Sequence, residues 1–118
     1  MMTQTISMQD VLEVVADHFG VSLEVLIGRC RDWEICAVRH IAFGLGRELT
    51  GQSLPQIGRY FGRDHTTVLS GLRRYEVVLA VEHDGLIDEI RQRIIARSRA
   101  VFVRNERRAV FRSVRRVA

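Results

Sequence analysis

The chain has 118 residues, 47% of them apolar and 27% charged, with a single proline; this is enough for one domain with its own core and excludes a disordered chain. Its net charge of +4 comes from 18 basic residues against 14 acids, and every basic residue is arginine, a bias read here as that of a GC-rich genome. The longest apolar run, Val77 to Val81, is far short of a membrane span, and two cysteines cannot build a disulfide framework.

The apolar periodicity is helical throughout. Met8, Val11, Leu12, Val15 and Phe19 form one face of a first helix, capped by Ser7 with Asp10 and ended by Gly20. Ser22 caps a short helix through Ile27, closed by Gly28. Arg29 to Asp32 reads as a basic loop. A longer helix, from about Trp33 to Thr50, shows Ile35, Val38, Ile41, Ala42, Leu45 and Leu49 on its apolar face, and Trp33 is expected to pack on the core, the alternative being that it stacks at the edge of a DNA duplex. Gly44 and Gly46 weaken it by roughly 1 kcal/mol each, as is usual where another helix approaches closely. Ser53 caps the next piece, Pro55 sits in its first turn, and Gly62 follows it. Asp64 caps a second piece from His65, which carries Val68, Leu69, Leu72 and Tyr75 inward and runs to about Glu82. After Asp84-Gly85 a final helix starts near Leu86. The expected fold is all-α: a compact domain of about six helices over residues 1–82, then a basic helical extension over residues 83–118, where Val103, Val110, Val114 and Val117 recur at helical spacing.

Charge alternates in blocks along the chain. Residues 1–27 hold four acids, Asp10, Glu13, Asp17 and Glu24, and no arginine. Residues 28–75 carry a net +4, residues 76–90 a net −5 and residues 91–118 a net +9. The two basic blocks are candidates to meet a polyanion; the alternative for the last block is that its arginines solubilise helix faces.

A short helix, a glycine turn and a second helix with a polar start describe a helix-turn-helix. Asp64, His65, Thr66 and Thr67 stand where a recognition helix presents its N-terminus to the DNA major groove. Aspartate accepts from the amino group of cytosine or adenine, histidine donates to a base oxygen, and a threonine methyl packs on that of thymine. Arg63 is placed for a backbone contact. Cys30 and Cys36, with scattered histidines, do not have zinc spacing, so no metal is expected. Asp64 and His65 have no nucleophile nearby, and no Walker loop, dinucleotide turn or HExxH helix is present. The chain is therefore read as a non-enzyme without cofactor or nucleotide. Lacking the basic cluster and apolar core of a signal peptide, it is expected in the cytoplasm, at the nucleoid.

The stretch from Glu48 to Leu69, with Ser53-Leu54-Pro55-Gln56-Ile57-Gly58 and Arg63-Asp64-His65-Thr66-Thr67-Val68, closely resembles the signature of the C-terminal DNA-binding domain of the bacterial replication initiator DnaA. Phe19 to Glu24 and Ala37 to Ala42 resemble it too, so the likeness covers roughly residues 7–75. It implies base reading by Arg31 in the minor groove, by Pro55 against a thymine methyl and by Asp64, His65 and Thr66 in the major groove. It also implies backbone contacts from Arg29, Arg39, His40, Leu54, Arg63, Thr67 and Arg73. Minor-groove reading by Arg31 agrees with the negative potential of a narrow A·T-rich groove. The chain departs from that signature in having one glycine, not two, before Arg63, and acids at Asp32 and Glu34 in a loop that is usually more basic. The initiator's nucleotide-hydrolysing module has no counterpart here.

The resulting expectation is a sequence-specific double-stranded DNA-binding protein that regulates transcription, including genes of phage-like elements or gene-transfer agents. Residues 76–118 are then candidates to contact RNA polymerase or another regulatory protein. Two alternatives stand beside it: a replication modulator that competes with the initiator for its boxes, and a protein-interaction adaptor.

Overall fold

The structure, a computed structural model, describes residues 6–98. All regular structure among them is helical. Helix α1 spans Met8–Phe19, α2 Leu23–Ile27, α3 Trp33–Thr50, α4 Leu54–Phe61 and α5 His65–Arg74. A π-helical segment, Tyr75–Leu79, carries α5 on into α6, Ala80–Glu82, and α7 covers residues 84–98. The valines expected at helical spacing from Val103 to Val117 lie outside the described residues.

The starts of α1, α2 and α4 are each fixed by a capping serine. The Asp10 N–H donates to Ser7 Oγ at 3.1 Å, and the Val25 N–H donates to Ser22 Oγ at 3.2 Å. At α4 the cap is reciprocal: the Gln56 N–H donates to Ser53 Oγ at 3.3 Å, and the Ser53 N–H donates to Gln56 Oε1 at 2.9 Å. Such a cap is worth about 1 kcal/mol. The Ala80 N–H reaches back to the Tyr75 carbonyl, the five-residue step of a π turn. One rod therefore runs from His65 to Glu82, the length its sequence suggests.

Helix α3 is the centre of the fold and packs against α1, α2, α4, α5 and the π-helical segment. Val38, Ile41, Ala42 and Leu45 are buried on its expected face, and Phe43 is buried as well. The Phe43 ring meets Phe61 edge to face, 4.7 Å between centroids. A helix covered on several sides needs an apolar surface wider than one stripe. At Gly44 the π-helical segment comes so close that a Cβ would lie 2.3 Å from the Tyr75 ring. Here the low helix propensity of glycine is exchanged for packing of an aromatic ring directly on the backbone.

Two apolar residues depart from expectation. Leu69 is 36% exposed, because it falls just off the Val68–Leu72–Tyr75 stripe. Trp33 is 78% exposed. It is the first residue of α3, beyond the reach of the core, and borders a surface groove of about 330 Å³ formed with Phe19, Val21, Ile35, Leu79 and Leu86.

The boundary expected at residue 82 also gives way. Ile87, Ile90 and Ile94 of α7 are buried in the same core as α1 and α3. Around them, Arg91 Nε donates to Glu48 Oε2 at 2.6 Å and Arg93 Nη2 donates to Asp17 Oδ2 at 2.7 Å. Arg97 pairs with Glu13 and lies 3.6 Å from Asp10. The descending order of the acids shows that α7 runs antiparallel to α1. Pairs this exposed contribute about 0–1 kcal/mol each, so the isoleucines hold α7 in place and the ion pairs set its register. Three of the four N-terminal acids are thereby matched from within the chain.

Candidate nucleic-acid interface

Helices α4 and α5 pack on each other across the turn Gly62-Arg63-Asp64. Gly62 takes the left-handed conformation, φ 61°, and the Arg63 N–H donates to the Gly58 carbonyl at 2.9 Å. A Cβ at Gly58 would lie 2.4 Å from the Arg63 carbonyl oxygen. The shortened turn therefore closes on one left-handed glycine and one glycine of close approach.

At the start of α5, Asp64 Oδ1 accepts from the His65 N–H at 2.7 Å, and Asp64 Oδ2 accepts from the Thr66 hydroxyl at 3.1 Å. His65 Nδ1 lies 2.9 Å from Asp64 Oδ1. These donors, the Thr66 hydroxyl foremost, hold the Asp64 carboxyl below the usual carboxylate range. Asp64, His65, Thr66 and Thr67 are all exposed. Three of the five expected base readers, Asp64, His65 and Thr66, form one preordered cluster on an open helix tip, where first-turn N–H groups also favour an anion.

Beside the tip runs an open groove of about 440 Å³ between α3 and α5, lined by Cys36, His40, Thr66, Thr67, Ser70, Gly71 and Arg74. It joins two expected backbone contacts, His40 and Thr67, to two residues the sequence reading missed, Ser70 and Arg74. Their signal was available, since Thr67, Ser70 and Arg74 follow helical spacing along one face of α5. Burial first, then the Arg74 and Arg39 guanidiniums, lowers the His40 pKa from 6.5. The unfolded chain therefore takes up this proton before the folded one does, and stability present above about pH 6.5 falls as pH drops below it. His40→Gln is expected to flatten that part of the stability curve, read from unfolding midpoints between pH 8 and 5 on the usual histidine range.

The remaining site residues divide. Arg29, Arg31, Pro55 and Arg73 are exposed, on the loop, the first turn of α4 and the end of α5. The Leu54 side chain packs partly on the core, leaving its N–H, at the first position of α4, as its polar contribution. Arg39 is a correction. It is 5% exposed, and its guanidinium donates to the carbonyls of Leu26 at 2.7 Å, Cys30 at 2.5 Å, Val25 at 3.1 Å and Gly28 at 2.7 Å. These donors are spent inside the protein, so Arg39 holds α2 and the basic loop and does not reach a phosphate. Arg63 is a second correction: its guanidinium turns inward to the carbonyls of Phe61 at 2.8 Å and Gly28 at 2.6 Å.

The family model for the bacterial dnaA protein helix-turn-helix matches residues 8–74. The chain belongs to the bacterial DnaA helix-turn-helix family. It is 42% identical over 87 residues to the chromosomal replication initiator protein DnaA of Acinetobacter baumannii strain ATCC 17978, covering 73% of this chain and 18% of that protein. Against the DnaA of Cereibacter sphaeroides strain ATCC 17029 it is 38% identical over 78 residues, 65% of this chain and 17% of that one. The chain thus spans less than a fifth of the length of these curated relatives. The family-model match ends at Arg74, immediately before the π-helical segment. This DnaA-type helix-turn-helix is a DNA-binding module, and the family match assigns no catalytic domain to the chain. No helix among the described residues is long and apolar enough to cross a membrane.

Proposed function

We propose that the chain reads a specific double-stranded DNA site and regulates transcription from it. The observation that carries this reading is the exposed, mutually hydrogen-bonded cluster Asp64-His65-Thr66 at the tip of α5. The tip enters the major groove, Pro55 meets a thymine methyl from the first turn of α4, and Arg31 enters the adjoining minor groove. Arg29, His40, Thr67, Arg73 and the Leu54 N–H take phosphates, joined by Ser70 and Arg74 of the groove. Beyond the interface, the acidic stretch with exposed Glu76, Glu82, Asp84 and Glu89 is the candidate contact for polymerase or another regulator.

Selection from a pool of random duplexes is the test, and one enriched motif is the expected result. Thr66→Ala should cost about 1–3 kcal/mol on that motif and little on random DNA. Equal loss on both, or no enrichment, refutes base reading.

The identity to replication initiators favours a second reading, competition for the initiator's own boxes. It requires that the selected motif be such a box and that occupancy in cells peak at the origin. Peaks at promoters support the regulator.

A further inference from the structure

We infer that Arg63 is a positioning residue, which sets where the basic loop holds Arg31 relative to the tip of α5 by clamping the Gly28 carbonyl at the root of that loop. Helix α2 has five residues, Leu23–Ile27, so its last carbonyls have no partners within the helix. Arg39 fills Val25, Leu26 and Gly28, and also holds Cys30 within the loop. Those bonds secure the loop to α3. They do not tie it to the helix-turn-helix.

Arg63 supplies that tie. Its Nη2 donates to Gly28 at 2.6 Å, and its Nη1 donates to Phe61 at 2.8 Å and to Ile27 at 3.4 Å. A single planar group therefore spans the end of α4 and Gly28, the residue just before the loop, from the position immediately before Asp64. The Gly28 oxygen already accepts from Arg39 at 2.7 Å, so capping α2 does not by itself require a second cation there. Burial and the neighbouring Arg39 push the Arg63 pKa down. What Arg63 adds is distance control. Two groups that read two grooves at once must keep their separation to within about 0.5 Å, and supporting side chains have to fix it.

This inference rests on the two-groove DNA reading proposed above. The test is a double-mutant cycle on the selected duplex with the full chain. In the wild-type background, Arg31→Ala should weaken binding about 10-fold or more. In the Arg63→Gln background it should cost less than about 3-fold, because the loop no longer delivers Arg31. Thr66→Ala should cost the same in both backgrounds. Arg63→Lys, which keeps the charge without the two-pronged reach, should behave like Arg63→Gln. Additive losses for Arg31 and Arg63, or full rescue by lysine, overturn the proposal.

A DNA-free measurement separates this inference from the function it rests on. Backbone order parameters of Arg29 to Asp32 should fall from about 0.85 toward 0.6 in Arg63→Gln, while those of α3 hold. An unchanged loop overturns the clamp whatever the DNA result. If the wild-type chain shows no duplex preference, the DNA reading falls and the order parameters alone decide the clamp.

Discussion

Replacing Arg39 by methionine should lower stability by about 3 kcal/mol and the unfolding midpoint by on the order of 10 °C. Methionine keeps much of the apolar stem and removes only the guanidinium. Of the four carbonyls it holds, Leu26, Cys30 and Val25 then lose their donor, and Gly28 keeps only the one from Arg63. Three of the four end a five-residue helix that is too short to stand without outside partners. Thermal unfolding by circular dichroism measures the effect. A phosphate contact would behave differently: the midpoint would hold, and the salt dependence of DNA binding would lose about one unit of slope. The two outcomes cannot be confused.

The second large effect is expected at Gly58. Its added Cβ in Gly58→Ala would lie 2.4 Å from the Arg63 carbonyl oxygen, a backbone atom that cannot swing aside. The turn must open, at a cost of about 1–3 kcal/mol, and α5 must shift on α4. DNA affinity on the selected site should fall about 10-fold or more, through misplacement of contacts worth 1–3 kcal/mol each. Gly85→Ala is the control, since nothing lies within 4 Å of a Cβ there, and it should be neutral or slightly stabilising. Unfolding midpoints and retardation assays on the two variants side by side check the prediction. Similar behaviour of the pair would mean that the close approach at Gly58 is not what orders the turn.

Four helix starts were legible in the sequence because those helices carry their own caps. Ser7, Ser22, Ser53 and Asp64 all act within three residues of themselves, and local chemistry of this kind does not wait for tertiary structure. The tip of α5 was legible for the same reason. Arg39 was not, because its partners lie 9 to 14 residues upstream and nothing in its own neighbours announces that α2 is short of donors. A charged residue next to Val38 reads as surface until the fold supplies those carbonyls. Arg63 was misread similarly, from its place beside the cap. Trp33 was assigned to the core on residue type, yet a helix's first residue has no preceding turn to pack over. The docking of α7 was hidden by treating charge in blocks. Acids at 10, 13 and 17 and arginines at 93 and 97 share helical spacing, and pairing them across two antiparallel helices would have revealed the contact.

The exposed indole at the head of α3 has a practical consequence. Trp33 is the only tryptophan in the chain, and it follows Arg31 by two positions. Ultraviolet excitation near 295 nm, an approximate wavelength that selects tryptophan over tyrosine, therefore addresses a single water-bathed chromophore beside the loop assigned to the minor groove. The protein carries its own optical reporter there, and occupancy of the loop can be followed by emission without attaching a dye to any residue that the interface uses.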